Sequence, residues 1–423
     1  MLDIKFIREN PEKVKKAIQD KVINLDLDQL LDCDRKRRDF LVRVEELRRQ
    51  RNEVAREKNI EKGKKIKQEL GDLEKELKEV EQKFEELMLL VPNIPVADTP
   101  IGPDSKSNKE VAKWGKAPKF TFPVKDHVQL GRLLDIIDFE AGAKVSGFRG
   151  YYLKNEGALL HWAVLNFALE KIKSYGFTPL VPPTLVHQFV LIGSGHFPFG
   201  EKDIYQIANP GKLGSGEEIK NPVYLTGTAE PSLLAYFADK TLSEKDLPIK
   251  VCALTQCYRS EVGDYGRDVK GLYRVHEFTK VEQVVICRNN LEESEEHWRQ
   301  MQSISEEILH ELELPYHVVQ NSTGDMGAGK YRMYDIETWM PARGDYGETH
   351  SNSNLTDWQA RRLKIKVRNQ GELNYCYTLN NTVLASPRIL IAILENYQQK
   401  DGSVLIPKAL QKYTGFDKIS PKK

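Results

Sequence analysis

Between Ile66 and Leu87 the apolar residues recur in steps of 4, 3, 4, 3, 4 and 3, at Ile66, Leu70, Leu73, Leu77, Val80, Phe84 and Leu87. A seam of that period is one a helix can bury only against another helix. The partner lies just upstream. Leu30, Cys33, Arg37, Phe40, Val44, Leu47, Arg51 and Val54 form a matching 3,4 series into which two arginines intrude. From about Leu27 to Val91 the sequence is almost pure helix former, broken near Asn59 to Lys65. The two halves are therefore expected to fold back as an antiparallel coiled-coil hairpin with limbs of ~40–50 Å.

The limbs differ in charge. Arg35, Lys36, Arg37, Arg38, Arg43, Arg48, Arg49 and Arg51 outnumber Asp39, Glu45 and Glu46 on the outgoing helix, whereas Glu69 to Glu86 is rich in carboxylates. A one-sided basic stripe suits a phosphate backbone, which makes Arg35, Arg38, Arg43, Arg48 and Arg49 candidates for nucleic-acid contact. A solvated helix pair held by interhelical ion pairs is the default for a coiled coil taken alone. With 63 Lys and Arg against 62 Asp and Glu, any basic surface must be local.

Val91-Pro92-Asn93-Ile94-Pro95 stops the return helix, and a linker bearing Pro, Gly and Ser runs to about Asn108. Two domains are expected, residues 1–108 as a helical arm with its linker and 109–423 as the larger part. Met1 to Asp20 alternates charge with hydrophobe, and no run of about 18 apolar residues occurs, so a soluble, cytoplasmic chain with no membrane partner is expected. Cys33, Cys252, Cys257, Cys287 and Cys376 are scattered without a CxxC pair and read as buried thiols. The nine histidines show no HExxH or HxxxH pairing, so no zinc is expected.

The richest chemistry lies from Tyr258 to Glu282. Arg259, Ser260 and Glu261 close one apolar segment, a polar turn runs from Gly263 to Gly271, and Arg274, Phe278 and Glu282 punctuate the next. In an antiparallel hairpin, period 2 would put Arg259 with Glu261 on one face and Arg274, Phe278 and Glu282 together on one face, the last three ~13 Å apart. An arginine fork for phosphate or carboxylate, an aromatic face for a base and a carboxylate for an amine would then stand in a row. ATP beside an amino acid has those needs. Any one of these residues taken singly is as well explained by ordinary cross-strand charges and a core phenylalanine.

The ordered set Tyr258-Arg259-Ser260-Glu261, then Gly271-Leu272-Tyr273-Arg274-Val275-His276-Glu277-Phe278-Thr279-Lys280-Val281-Glu282, resembles motif 2 of the class II aminoacyl-tRNA synthetases, and within them the seryl-tRNA synthetases. Other stretches carry the same likeness. A long helix over Leu159 to Tyr175, Gly176, then a strand over Phe177 to Val186 with Pro183 resembles motif 1, which in the family builds a dimer interface. Leu373 to Asn380, read as a strand, followed by Ser386-Pro387-Arg388 opening an apolar helix with serine as cap, resembles motif 3. Asn381-Thr382-Val383 stands where many members have Gly-Ser-Gly, and His350 where many have serine. Gly324 to Lys330 fits GxxxxGK, but Tyr331 follows where a P-loop needs Ser or Thr, and Arg332 to Met340 reads as a strand rather than a helix. Thr323 to Gly327 instead resembles a stretch common in the family.

The resemblance implies an α+β fold: an N-terminal antiparallel coiled-coil hairpin plus a class II catalytic domain whose antiparallel sheet is flanked by helices. It implies ATP-dependent ligation of L-serine to tRNA(Ser) through seryl-adenylate in a cytoplasmic homodimer, and leaves tRNA(Sec) open as a second substrate. For ATP it implies Arg259, Ser260, Glu261, Arg274, Val275, Phe278, Glu348, Thr349, His350, Ser351 and Arg388, with Arg259 and Arg388 catalytic. For serine it implies Thr228, Ala229, Glu230, Arg259, Glu282 and Thr382. Glu348 and Ser351, three residues apart, would share Mg2+ with phosphate oxygens and water. Three alternatives stay open: a serine-activating homologue that charges a carrier protein, a coiled-coil binding protein with an inactive synthetase-like domain, and a synthetase for threonine or proline.

Overall fold

A computed structural model describes the chain from Met1 to Lys423 apart from residues 58, 210, 213, 263–270, 370 and 423, with only the backbone described at Asn369. These residues form two compact units, Met1–Ile94 and Pro95–Lys423.

In the first unit, short helices Ile4–Glu9 and Pro11–Asp20 precede α1 (Leu27–Arg56) and α2 (Ile60–Leu90). Both long helices begin with a side-chain cap. Asp26 accepts from Asp28 N and Gln29 N, and Asn59 accepts from Lys62 N. The Asn59 cap lets α2 start at Ile60, so the break expected over Asn59 to Lys65 is much shorter. Val44, Leu47 and Val54 pack against Ile66, Leu70, Leu73 and Leu77, while Leu30 and Met88 pack with Ile7, Val14 and Ile18.

The two intruding arginines have different fates. Arg37 lies over the Phe84 ring, 4.5 Å from its centroid, and reaches the buried Asp34 at 3.2 Å. Arg51 is exposed. Along the basic stripe, Arg35 pairs with Asp32, Arg38 with Asp34 and Arg49 with Glu46 on their own helix, Arg48 crosses to Glu74 at 2.7 Å, and Arg43 is exposed.

The second unit is built on eight strands: β1 (Lys109–Trp114), β2 (Thr178–Leu180), β3 (Ile249–Tyr258), β4 (Glu277–Cys287), β5 (Tyr316–Gln320), β6 (Arg332–Met340), β7 (Asp345–Asn354) and β8 (Tyr377–Ser386). Their order is β1-β5-β6-β7-β8-β4-β3-β2. Every neighbouring pair is antiparallel except β2 with β3. The helices used below are α3 (His127–Leu133), α4 (Glu156–Ser174), α5 (Glu230–Ala235), α6 (Leu291–Glu311) and α7 (Arg388–Asn396). Apolar faces of α4, α6 and α7 cover the sheet in one continuous core. The proline-bearing segment after Ile94 hydrogen-bonds within this unit, Val96 N to Tyr331 O and Thr323 N to Pro100 O.

Two expected strands are each two. Phe177 to Val186 divides into β2 and Leu185–His187, and the second piece pairs with Val223–Leu225 in a separate sheet. Pro182 and Pro183 between them have no amide to continue a ladder. Leu373 to Asn380 likewise divides into Glu372–Tyr375, paired with Lys366–Asn369, and β8, which starts at Tyr377. All five cysteines are buried free thiols. Among the described residues no helix is long and apolar enough to cross a membrane.

His317 ties three strands at the β1 edge of the sheet. Its Nδ1 lies 2.7 Å from Glu110 of β1 and its Nε2 2.6 Å from Glu337 of β6, while its ring stacks on Tyr346. Burial alone would lower its pKa, but the two carboxylates outweigh that and raise it. A raised histidine pKa contributes stability that is fully present below the unfolded value near 6.5 and is lost as pH rises through the folded value. The difference in melting temperature between wild type and His317→Ala is therefore expected to be largest at about pH 5.5 and to shrink toward about pH 9; a pH-independent difference would dissociate the imidazolium from edge stability.

Candidate active site

β3 ends at Tyr258 and β4 begins at Glu277, so Arg259, Ser260, Glu261, Arg274 and Val275 all lie beyond the strand ends. The expected row of Arg274, Phe278 and Glu282 along one strand therefore holds only for its last two members, with Lys280 between them on the same face. Residues 271–276 run as turn and bend, with Gly271 at φ +73°, and the last rung runs from Arg259 N to His276 O at 2.9 Å. His276 Nδ1 donates back to Arg259 O. Glu261 adopts φ +51°, which turns its carboxylate to Arg274 Nη1 at 3.0 Å. Ser260 Oγ donates to Lys202 O. Of the turn expected over Gly263 to Gly271, residues 263–270 lie outside the described residues.

One cleft collects groups from three distant parts of the chain: Arg259, Glu261, Val275 and Phe278 from the hairpin, Glu348 and Thr349 from β7, and Thr382 and Arg388 from β8 and α7. Arg274 is not among its lining residues but is ion-paired to Glu261, which is. Arg388 is held from several sides. Its Nε donates to Tyr273 O at 3.1 Å, its Nη1 donates to Glu348 O at 3.0 Å and lies 3.2 Å from the Glu348 carboxylate, and its guanidinium sits 4.5 Å from the Tyr273 ring centroid. The Arg259 guanidinium lies 5.4 Å from the Phe278 centroid, and its Nε donates to Gly227 O at 3.2 Å.

Burial would raise the pKa of Glu348, but Arg388, Arg259 and Arg274 together hold it below the usual carboxylate range. Three cations thus converge on Glu348, with Arg274 also paired to Glu261, an electrostatic setting for a polyanion. The expected serine cap of α7 is not seen. Ser386 is the last residue of β8, its Oγ bonds His161 Nδ1 at 2.7 Å, and Pro387 occupies the cap position without a side-chain hydrogen bond.

Glu348 and Ser351 would face opposite ways on a regular strand, being an odd number of residues apart. The register slips here, with Ile336 opposite His350 but Glu337 opposite Glu348, and this bulge brings both toward one face. Ser351 sits opposite Asp335, a buried carboxylate whose pKa is raised well above the usual value by burial and by Glu348. Its Oδ1 makes no hydrogen bond. A cation beside Glu348 would relieve that crowding of carboxylates, so the residues present fit a Mg2+ that takes its remaining ligands from phosphate and water. Thr349 and His350 are both buried, and Thr349 Oγ1 bonds Thr338 and His350 Nδ1. Burial pushes the His350 imidazole down to about 4, which keeps it neutral.

Deeper in, β8 pairs with β4 so that Thr382 stands opposite Glu282, with a bulge at Val383. Asn381 faces away from the cleft, where its Nδ2 donates to Met301 O and Ser305 Oγ of α6. The segment lacking the family's glycines is therefore anchored from behind. Glu282 is 2% exposed and ion-paired to Lys280 at 2.5 Å, and Thr228 Oγ1 donates to it at 3.2 Å. Burial raises the Glu282 pKa against the pull of Lys280. Glu230, also buried, accepts from Gln359 Nε2 at 2.6 Å and Asn380 Nδ2 at 2.8 Å. Burial would raise its pKa too, yet Lys330, His196 and Gln359 bring it below the usual value. Ala229 stands at the start of α5 between Thr228 and Glu230.

Several members of this pocket were not singled out from the sequence. Lys280 carried a signal, since it shares parity with Phe278 and Glu282 on β4. Lys330, the last residue of the GxxxxGK run, and Asn380 are brought to Glu230 only by tertiary structure.

Comparisons with known proteins bear on the family. A family model described as "Seryl-tRNA synthetase N-terminal domain" matches residues 1–95, and one described as "tRNA synthetase class II core domain (G, H, P, S and T)" matches residues 215–397. The chain is 46% identical over 426 residues to the serine--tRNA ligase of Deinococcus radiodurans, covering 98% of each. It is 41% identical over 434 residues to that of Treponema denticola, covering 99% of this chain and 100% of the relative. Among solved structures, the seryl-tRNA synthetase from Pyrococcus horikoshii complexed with ATP superposes with a TM-score of 0.90 at 38% identity over the whole of both chains. Prolyl-tRNA synthetase of Giardia lamblia, at 16% identity and a TM-score of 0.57 over 66% of this chain, shares the fold alone.

Removing one partner of a buried ion pair costs about 3–5 kcal/mol, whereas neutralising both costs much less. Lys280→Met is expected to lower the calorimetric melting temperature clearly, and Lys280→Met with Glu282→Gln to recover most of it. Equal melting temperatures for wild type and Lys280→Met would mean that the pair is solvated in solution.

Proposed function

The chain belongs to the seryl-tRNA synthetases of class II, and on that premise we propose that the cleft between β4, β7 and β8 activates L-serine with ATP and passes the seryl group to tRNA(Ser). The observation that carries this reading is the convergence of Arg259, Arg388 and Glu348 above a buried Glu282–Thr382 pair.

No side-chain nucleophile is needed. A serine carboxylate oxygen attacks the α-phosphorus, the bond to the bridging oxygen breaks, and pyrophosphate leaves with that electron pair. A terminal hydroxyl of the tRNA then attacks the seryl carbonyl and AMP departs. Catalysis consists of positioning and of charge placed where the transition state needs it. Arg259 takes the α-phosphate and the substrate carboxylate. Arg274 and Arg388 take the outer phosphates, Ser260, Glu261 and Val275 line the nucleotide, and adenine stacks on Phe278. Glu348 and Ser351 would hold Mg2+, which when bound neutralises phosphate charge. Thr349 lines the nucleotide site beside Glu348, and His350 supports that strand through its bond to Thr349.

In the serine pocket, the substrate ammonium goes to Glu282, where it meets the Lys280 ammonium already in place, and Thr228, Ala229, Glu230 and Thr382 surround the hydroxyl. Alanine would leave those buried polar groups unpaired, a discrimination that can reach roughly 10⁴. Glu282→Ala is expected to reduce serine-dependent pyrophosphate exchange at least a hundredfold. Exchange measured with serine, threonine, proline and alanine in turn tests substrate identity, and a stronger signal with any amino acid but serine refutes the assignment.

The molecule is proposed to act as a cytoplasmic homodimer. Leu159 and Trp162, one turn apart on α4, are 52% and 54% exposed, and Val181 and Leu185 are exposed as well. Residues 1–108 are proposed as the arm and linker that bind tRNA through Arg35, Arg38, Arg43, Arg48 and Arg49, and 109–423 as the catalytic domain. Whether tRNA(Sec) is served depends on what that arm reads. Deleting residues 34–88 is expected to leave serine-dependent exchange within about threefold of wild type and to abolish aminoacylation of tRNA; equal loss of both would make the hairpin a structural element instead.

A further inference from the structure

A buried histidine and glutamate that take no part in the chemistry above join four elements around the nucleotide site. Leu272 N donates to His127 Nε2 at 3.1 Å. A backbone amide can only donate, so Nε2 carries the lone pair and the ring proton is on Nδ1. That proton points to Glu395 Oε1 at 2.9 Å, which also accepts from His127 N at 3.1 Å. Glu395 Oε2 accepts from Ala342 N at 3.0 Å. The histidine side chain is 11% exposed and the glutamate 3%.

Each contact belongs to a different piece of the fold. His127 opens α3, Glu395 lies on α7 with Arg388, Ala342 is in the β6–β7 turn, and Leu272 is two residues before Arg274. Between Leu272 and Arg274 stands Tyr273, whose ring lies beneath both Arg388 and Arg343 and whose carbonyl accepts from Arg388. Gly271 shows how tightly the ring is placed, since a Cβ there would come within 2.0 Å of His127 Nε2.

Resting on the site assignment above, we infer that His127 and Glu395 are positioning residues for ATP: the pair fixes the chain at Leu272 relative to α7, and so sets Arg274 and Arg388 at the spacing the outer phosphates require. Glu395 accepts from three donors and offers none. A glutamine in its place can keep its oxygen toward only one side. Turned to Ala342, it presents NH2 to His127 Nδ1, forces the other tautomer and sets Nε2–H against Leu272 N–H; turned to His127, it sets NH2 against Ala342 N–H.

The test is serine-dependent pyrophosphate exchange by the full chain, with KM measured separately for ATP and serine, in Glu395→Gln and in His127→Phe, which keeps a ring but neither nitrogen. Each variant is expected to raise KM for ATP about tenfold, the cost of one hydrogen bond left unmade on a buried donor, with KM for serine within about twofold. The double variant is expected to be no worse than the poorer single, because the two act as one unit. An unchanged ATP KM in the variants, or ATP and serine KM rising in parallel, overturns the inference and leaves the pair a packing element. Should His127→Phe not fold, Glu395→Gln, which changes no volume, decides alone. Absence of serine-dependent exchange in the wild type would instead refute the functional reading itself.

Discussion

Thr382 on β8 faces Glu282 on β4, and the position of every other group in the cleft follows from that rung. β8 runs antiparallel to β4, so its far end delivers Ser386, Pro387 and Arg388 beside the start of β4, where Phe278 and the residues preceding the strand lie. A slip of one residue would turn Thr382 into the core and Asn381 into the cleft. Two features oppose it. Asn381 is bonded to Met301 and Ser305 of α6, and Val383, fully buried, absorbs the bulge on the core side.

The cleft and its surroundings place charge where it is hardest to keep. Glu282, Glu230 and Asp335 are all buried carboxylates, and each is answered differently: by the Lys280 ammonium, by amide donors with Lys330 and His196 nearby, and by Asn321 with a rise in pKa. Such groups cost stability unless paired. Their concentration beneath a cluster of arginines is what a substrate carrying both an ammonium and a carboxylate, presented beside a polyphosphate, would require. Tyr273 and Glu348 hold the Arg388 guanidinium at the nucleotide end of the cleft, while Lys280 holds Glu282 at the other.

The arm illustrates how much a period can say. Steps of 3 and 4 have one geometric solution, and most buried residues of the two helices belong to the seam, from Leu30, Val44 and Leu47 to Ile66, Leu70, Leu73 and Leu77, with Leu27, Asp34 and Met88 buried outside it. The intruding Arg37 was legible as an exception but not its remedy, since neither the Phe84 ring nor the buried Asp34 that receive it is marked in sequence. The strands were less legible. Proline-bearing Phe177 to Val186 looked continuous because alternation does not show where a ladder changes partner, and Arg274 looked like a strand residue because parity says nothing of where pairing stops, which here is at Glu277.

By itself, then, the sequence determined the coiled-coil hairpin, the identity of the charged and aromatic groups and their order along the chain, because periodicity and residue chemistry are local properties. Tertiary structure decided which of those groups meet. Glu348 and Ser351 share a face only through a bulge, Lys330 reaches Glu230 from a run that looked like a phosphate loop, and His127 and Glu395, 268 residues apart, find one another across α3 and α7. Pairing register and the burial of charge depend on contacts between distant segments, and no pattern along a single strand of sequence encodes the distance between them.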